Sequence, residues 1–199
     1  MIIGIYGLKG GGKTVFMTLL LWIEHIVFKK IVYSNYKLKF KYKKLDMQKL
    51  AELDTQLQNT AIGIDELHMI ADSRRAGAKQ NLLVSYFVLQ SRHRSVNLYF
   101  TSQFEHQVDR RVRENTDIKI IAENLNIDSD GDGKPDLFRI IIQDNRGMEK
   151  KFHEKIICGT KIYDQFDTNF IINLFQYKEK EKKPKKEEKK SKKKPKKKK

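Results

Sequence analysis

The segment Gly7-Leu8-Lys9-Gly10-Gly11-Gly12-Lys13-Thr14 constrains this chain more than any other, because of what stands on either side of it. Before it, Ile2 to Tyr6 is a short, nearly continuous apolar run, as expected of a strand buried on both faces of a parallel sheet. After it, Lys13 to about Lys29 is apolar at helical spacing on most sides, so a largely covered helix is expected. Strand, glycine-rich turn and helix with G-x-x-x-x-G-K-[ST] spacing make a phosphate-binding loop. Glycines let backbone N–H groups turn inward around phosphates, and the helix N-terminus adds the positive end of its dipole. Lys13 then reaches the β- and γ-phosphates, and the Thr14 hydroxyl suits Mg²⁺. Lys9 is a further cation able to face the phosphates. An accidental glycine turn is the alternative, and the strand–loop–helix context argues against it.

A phosphate loop alone fits kinases, GTPases and ATPases, so a second acidic site decides among them. Ile62-Gly63-Ile64-Asp65-Glu66 is an apolar strand ending in two carboxylates. Asp65 suits the Mg²⁺ shell, and Glu66 suits orienting and activating an attacking water, a pairing that points to nucleotide hydrolysis. The bland reading is a pair of acids that merely opens a loop. No N-K-x-D guanine-specificity sequence occurs, so ATP is the expected nucleotide.

Gln103 directly follows the apolar run Val96 to Ser102, where its amide suits contact with the γ-phosphate or the lytic water. Upstream lie Arg92, His93 and Arg94 at a predicted helix end. A guanidinium reaching a neighbour's site would stabilise transition-state charge, whereas a solvated basic helix end needs no such role. Arg110, Arg111 and Arg113 stand on a predicted helix from Phe104 to Asn115 and suit either a DNA-contacting or a subunit-contacting face.

Further strands are expected at Ile31 to Tyr33, Thr60 to Ile64 and Ile118 to Ala122, with helices at Leu45 to Gln58 and Leu82 to Arg92. Tyr36 to Lys44 alternates apolar and basic residues and reads as a half-exposed extended segment. This rhythm implies βαβ units, hence an α/β fold with a mostly parallel sheet and helices on both sides. Ile118 to Leu125 and Leu137 to Gln143 flank a turn and should form a C-terminal β-hairpin.

The 199 residues suit one domain, residues 1–177, followed by a disordered lysine-rich tail, residues 178–199. Of the net charge of +16, the tail's 15 lysines and 4 glutamates account for +11, leaving +5 for the body. Such a tail would neutralise phosphates with steep salt dependence, and a solubilising or acidic-partner-binding role is its alternative. The single cysteine, Cys158, excludes an internal disulfide framework and a multi-thiolate zinc site. The longest apolar run, VFMTLLLWI from Val15, is short of the roughly 20 residues a membrane span needs, and the N-terminus has no basic leader. A soluble, intracellular protein is expected.

The chain resembles the FtsK/HerA superfamily of DNA-pumping ATPases, in particular its small viral genome-packaging members and the Zot-like proteins of filamentous phages. The likeness covers roughly Ile2 to Asn124 and rests on GLKGGGKT, IVYSN, IGIDE and SRHRSVNLYFTSQ, where an arginine-bearing helix end precedes a strand finishing in Ser-Gln. KIYDQFDTN also looks like the tail end of viral packaging ATPases. The resemblance implies a RecA- or FtsK/HerA-like P-loop NTPase fold, a three-layer sandwich. It further implies a homo-oligomeric ring, usually hexameric, that translocates double-stranded DNA, with Arg92 matching the arginine that acts on the neighbouring subunit. Zot-like assembly proteins continue into a membrane-spanning helix, and none is read here. Packaging of a viral genome into a capsid is therefore expected ahead of membrane-bound extrusion, with a capsid or portal vertex as partner and a host-cytoplasmic or virion-associated location. A small-molecule kinase and a nucleotide-gated DNA-binding switch are the rival readings.

Asp128, Asp130, Asp132 and Asp136 alternate around glycines in the manner of a calcium loop, but Arg139 stands where an EF-hand has its bidentate glutamate. A polar hairpin turn over residues 128–136 is favoured over a Ca²⁺ site. His25, His68, His93, His106 and His153 lack metal-ligand spacing and are read as packing or surface residues.

Overall fold

The computed structural model describes residues 1–45, 57–75, 79–91, 94–128, 131–168 and 170. Their order is β1 (Ile2–Tyr6), α1 (Lys13–Ile26), β2 (Ile31–Ser34), β3 (Lys43–Lys44), β4 (Thr60–Ile64), α2 (Lys79–Ser91), β5 (Asn97–Ser102), α3 (Arg110–Glu114), β6 (Ile118–Asn124), β7 (Leu137–Asp144) and β8 (Lys151–Cys158). Among the described residues the strands form one sheet in the order β3-β2-β4-β5-β1-β6-β7-β8. The first six are parallel, and β7 and β8 run antiparallel.

Two apolar layers sandwich the sheet. On one face Ile3, Ile5, Val32, Tyr99 and Ile120 pack against Phe16, Met17 and Leu21 of α1. On the other, Ile2, Ile62, Ile64, Leu98 and Phe100 pack against Val84, Phe87 and Val88 of α2 and Val112 of α3. β1, β4 and β5 are buried on both faces along nearly their whole length, which is why they read as unbroken apolar runs. Tyr36 and Leu38 are buried while Lys37 and Lys39 are not, as the alternation there predicts.

The helix expected over Phe104 to Asn115 is broken. A 3₁₀ turn at Glu105–Gln107 gives way to extended backbone at Val108, which bridges Asp72, and a five-residue α3 begins afresh at Arg110. The cause is Asp109, whose buried side chain accepts the Arg111 N–H at 2.9 Å and caps the new helix. The hairpin of β6 and β7 forms as predicted and is extended by β8, a strand the sequence reading did not anticipate. Residues 46–56 of the expected helix after Leu45, Arg92, His93, Asp130 and the lysine tail lie outside the described residues. Among the described residues no helix is long and apolar enough to cross a membrane.

Candidate nucleotide site

Strand register brings three loops together at the carboxyl ends of β1, β4 and β5. Tyr6 is level with Ser102 across β1 and β5, so the residues that follow, Gly7 and Gln103, leave the sheet side by side. Ile64 is level with Phe100 across β5 and β4, which places Asp65 beside Thr101.

The glycine loop has the backbone its composition requires. Gly10 and Gly12 are left-handed, with φ of 77° and 85°. A Cβ on Gly12 would lie 2.3 Å from Phe138 Cδ1, and one on Gly7 would lie 2.3 Å from the Ala122 carbonyl oxygen. The loop is thus pressed against β6 and β7 and has no room for side chains there. Gly12 caps α1 with no side-chain acceptor, and the first turn of α1 holds no acid. Its leading N–H groups have no intrahelical acceptor and remain suited to an anion. Lys13 is buried and donates from Nζ to the Leu8 carbonyl at 3.0 Å across the loop.

Thr14 Oγ1 lies 3.2 Å and 3.4 Å from the two carboxylate oxygens of Asp65. Thr101 Oγ1 donates to Asp65 Oδ1 at 2.6 Å and accepts the Glu66 N–H at 2.8 Å. Asn35, at the end of IVYSN and directly after β2, grips the Asp65 backbone. Its Oδ1 accepts the Asp65 N–H at 2.7 Å and its Nδ2 donates to the Asp65 carbonyl at 2.9 Å. On α1, Thr18 Oγ1 donates to the Thr14 carbonyl and sits 2.9 Å from the Tyr36 hydroxyl.

Although Asp65 keeps some exposed surface, desolvation is the largest influence on its carboxyl and raises its pKa, with Glu66 adding to the rise. The Thr101 and Thr14 hydroxyls and Lys13 pull the other way. Burial lowers the Lys13 pKa, against the attraction of Glu66 and Asp65. A buried cation and two half-buried carboxylates therefore face one another at the loop mouth, and the oxygen donors of Thr14 and Asp65 fit a hard, oxygen-preferring cation such as Mg²⁺.

Glu66 itself is left-handed, at φ 53° and ψ 52°. Asn35, Thr101 and His68 are site residues the sequence reading passed over. Asn35 carried a signal as the polar end of a buried strand, whereas Thr101 is one hydroxyl within an apolar run. Ser91 and Arg94 lie at the amino end of β5, where Ser91 O accepts the Val96 N–H and Arg94 O accepts the Asn59 N–H. The six residues of β5 separate that end from the phosphate loop by about 20 Å.

The acidic turn leads into β7, whose Phe138 packs on Gly12 of the phosphate loop. Asp128 accepts the Gly131 and Gly133 N–H groups, and Asp132 accepts from Lys134 N and Nζ. Asp136 is buried and accepts the Thr160 hydroxyl at 2.6 Å. Among the described residues no three histidine, cysteine, aspartate or glutamate side chains converge to hold a metal.

A parallel sheet with helices on both faces, the glycine loop between β1 and α1 and an acid pair closing β4 give this chain the P-loop NTPase α/β fold. No family model and no curated protein sequence matches it. Solved structures do. The N-terminal domain of zonular occludens toxin from Neisseria meningitidis is similar at a TM-score of 0.58 and 16% identity, over 83% of this chain and 98% of that one. The genome-packaging NTPase B204 of Sulfolobus turreted icosahedral virus 2, solved with AMP, is similar at 0.53 and 14%, over 76% of this chain and 96% of that one. The same NTPase solved with ATP-gammaS is similar at 0.53 and 13%, over the same shares of the two chains, 76% and 96%. The likeness to Zot-type and packaging NTPases read from the motifs thus reappears in three dimensions.

Proposed function

We propose that this chain is an ATPase that works as a ring and translocates double-stranded DNA, packaging a viral genome. One observation carries the hydrolytic part: Thr14 of the phosphate loop and the Asp65-Glu66 pair of β4 meet, with Thr14 Oγ1 3.2 Å from Asp65 Oδ1. The loop N–H groups and Lys13 bind the phosphates, Lys13 exchanging the Leu8 carbonyl for them. Thr14 and Asp65 would hold Mg²⁺, which when bound supplies positive charge against the phosphate oxygens. Glu66 accepts a proton from the attacking water as the bond between the γ-phosphorus and its bridging oxygen breaks, leaving ADP and phosphate. Gln103, level with Gly7, senses the γ-phosphate. Water as acceptor, implied by a carboxylate pair rather than an acceptor pocket, favours hydrolysis over a kinase.

The ring is supported by the SRHRSVNLYFTSQ resemblance, in which Arg92 matches an arginine that acts on the neighbouring subunit. DNA as the partner is supported by the basic tail and by the fold shared with a viral packaging NTPase.

The test is steady-state ATP hydrolysis with and without double-stranded DNA, at several protein concentrations, for the wild type and for Lys13→Ala, Glu66→Gln and Arg92→Ala. DNA-stimulated, concentration-dependent turnover, restored when inactive Lys13→Ala and Arg92→Ala subunits are mixed, is expected. Turnover indifferent to DNA and concentration, or transfer of phosphate to a small molecule, defeats the reading.

A further inference from the structure

We propose that His68 is a positioning residue for the Glu66 carboxylate, a role that deepens the hydrolytic reading above and rests on it. The Glu66 backbone is already held. Its N–H is bonded to Thr101, and its carbonyl accepts the Met69 N–H at 2.9 Å, closing the 3₁₀ turn Leu67–Met69 that carries His68. The side chain is a different matter. Glu66 Oε2 is buried with no hydrogen-bond partner, a costly state for a carboxylate oxygen. His68 Nδ1 lies 3.3 Å away, close enough for an ion pair but not aligned as a hydrogen bond.

The neighbouring serine favours one assignment of the ring proton. Ser102 Oγ donates to the Phe104 carbonyl at 3.1 Å and also lies 3.3 Å from His68 Nδ1. A hydroxyl has one hydrogen, so with that hydrogen given to Phe104 the serine can only accept from the ring. On this network a neutral His68 is protonated at Nδ1, and its single N–H stands between Ser102 Oγ and Glu66 Oε2. The imidazole therefore ties the water-activating carboxylate to the end of β5, one residue before Gln103. Its contact is with one carboxylate oxygen, Oε2, 3.3 Å from Nδ1, and the other oxygen is the one assigned to the water.

The experiment uses the full chain and compares His68→Ala, His68→Asn and His68→Gln, with Glu66→Gln as reference. It reads kcat, KM and binding of a fluorescent ATP analogue, and melting temperature for folding. Asparagine places its amide N–H near the position of Nδ1, while glutamine places its own nearer Nε2. The expected result is a loss of about 10-fold or more in kcat for His68→Ala, with analogue binding within about twofold of wild type. His68→Asn should recover most of that loss and His68→Gln should not. A kcat within about twofold of wild type for His68→Ala, or equal losses for the two amides, overturns the proposal. If His68→Ala fails to fold, the contrast between the amides decides alone. Glu66→Gln separates the two levels. Abolished turnover there with an innocuous His68→Ala defeats only the positioning role, whereas retained turnover defeats the assignment of the base and the positioning role with it.

Discussion

Thr101 Oγ1 donates to Asp65 Oδ1 at 2.6 Å while accepting the Glu66 N–H at 2.8 Å, so one hydroxyl in the strand between the phosphate-loop strand and the acidic strand holds both carboxylate-bearing residues. It fixes the side chain of the first and the backbone of the second. Thr101→Val keeps the shape and β-branching but removes both bonds, leaving the Glu66 N–H without its acceptor and Asp65 Oδ1 with only the longer Thr14 contact. Chemical denaturation should show a loss of about 1–3 kcal/mol. Turnover should fall by more than the folded fraction does, because Asp65 and Glu66 both lose their reference point. Unchanged stability together with unchanged kcat would mean that Asn35 and Thr14 hold the acids unaided.

Two glycines of the phosphate loop should answer alanine substitution differently. Both are left-handed, so both incur backbone strain of roughly 1–2 kcal/mol when a Cβ is added. Around Gly10 nothing lies within 4 Å of the new Cβ, whereas at Gly12 it falls 2.3 Å from the Phe138 ring. Gly10→Ala should keep a weakened nucleotide affinity. Gly12→Ala should lose it by a larger factor and unfold at lower temperature, since β7 or the loop has to move. Nucleotide titration and thermal melting on both variants check this, and equal effects would show that strain alone governs the loop.

The phosphate loop, its flanking strand and helix and the acid pair were legible because each is a local pattern with one physical cause. Lys13, Thr14, Asp65 and Glu66 are set by spacing along a buried strand end, and the structure brings them together. Thr101, His68 and Ser102 were not legible. Their roles depend on strand order, which inserts β5 between β1 and β4, and a run of apolar residues looks the same whichever strands lie beside it. The break at Val108 was missed for a related reason. The arginines of the segment keep a helical appearance, and only the Asp72 bridge and the Asp109 cap stop the helix. β8 escaped because its residues are nearly all exposed at a sheet edge, so Lys151 to Cys158 has little of the apolar alternation that marks a strand.

The raised Asp65 pKa has a sign that can be read in solution. In the nucleotide- and metal-free protein a carboxyl pushed up by burial favours folding while protonated, and that contribution is lost as pH rises through the folded-state value. At neutral pH the ionised, desolvated Asp65 is therefore a burden on the folded state. Asp65→Asn should melt above the wild type at neutral pH, and the gap should close as the pH falls through the carboxylate range. With Mg²⁺ and ATP present the order should reverse, because only the wild type gains from the cation. An Asp65→Asn protein that melts below the wild type at neutral pH without ligand would show that the Thr14 and Thr101 bonds outweigh desolvation.

A second buried acid separates stability from catalysis. Glu24, near the C-terminus of α1, is only 4% exposed. It accepts the Tyr99 hydroxyl at 2.5 Å and the Asn97 amide, both from β5, while Lys30 Nζ lies 3.1 Å from its other oxygen. Because α1 runs back along the sheet, this node sits at the amino end of β5, opposite the phosphate loop. Glu24→Ala leaves the buried Tyr99 hydroxyl, the half-buried Asn97 amide and a largely covered ammonium without their acceptor, and should cost about 3–5 kcal/mol in denaturant unfolding. Glu24→Gln keeps the shape and one acceptor and should cost less. Per folded molecule, both variants should hydrolyse ATP at the wild-type rate. A fall in kcat at unchanged folded fraction would mean that α1 transmits strain along its length to Lys13 and Thr14, and that the helix is a mechanical part of the site and not only its support.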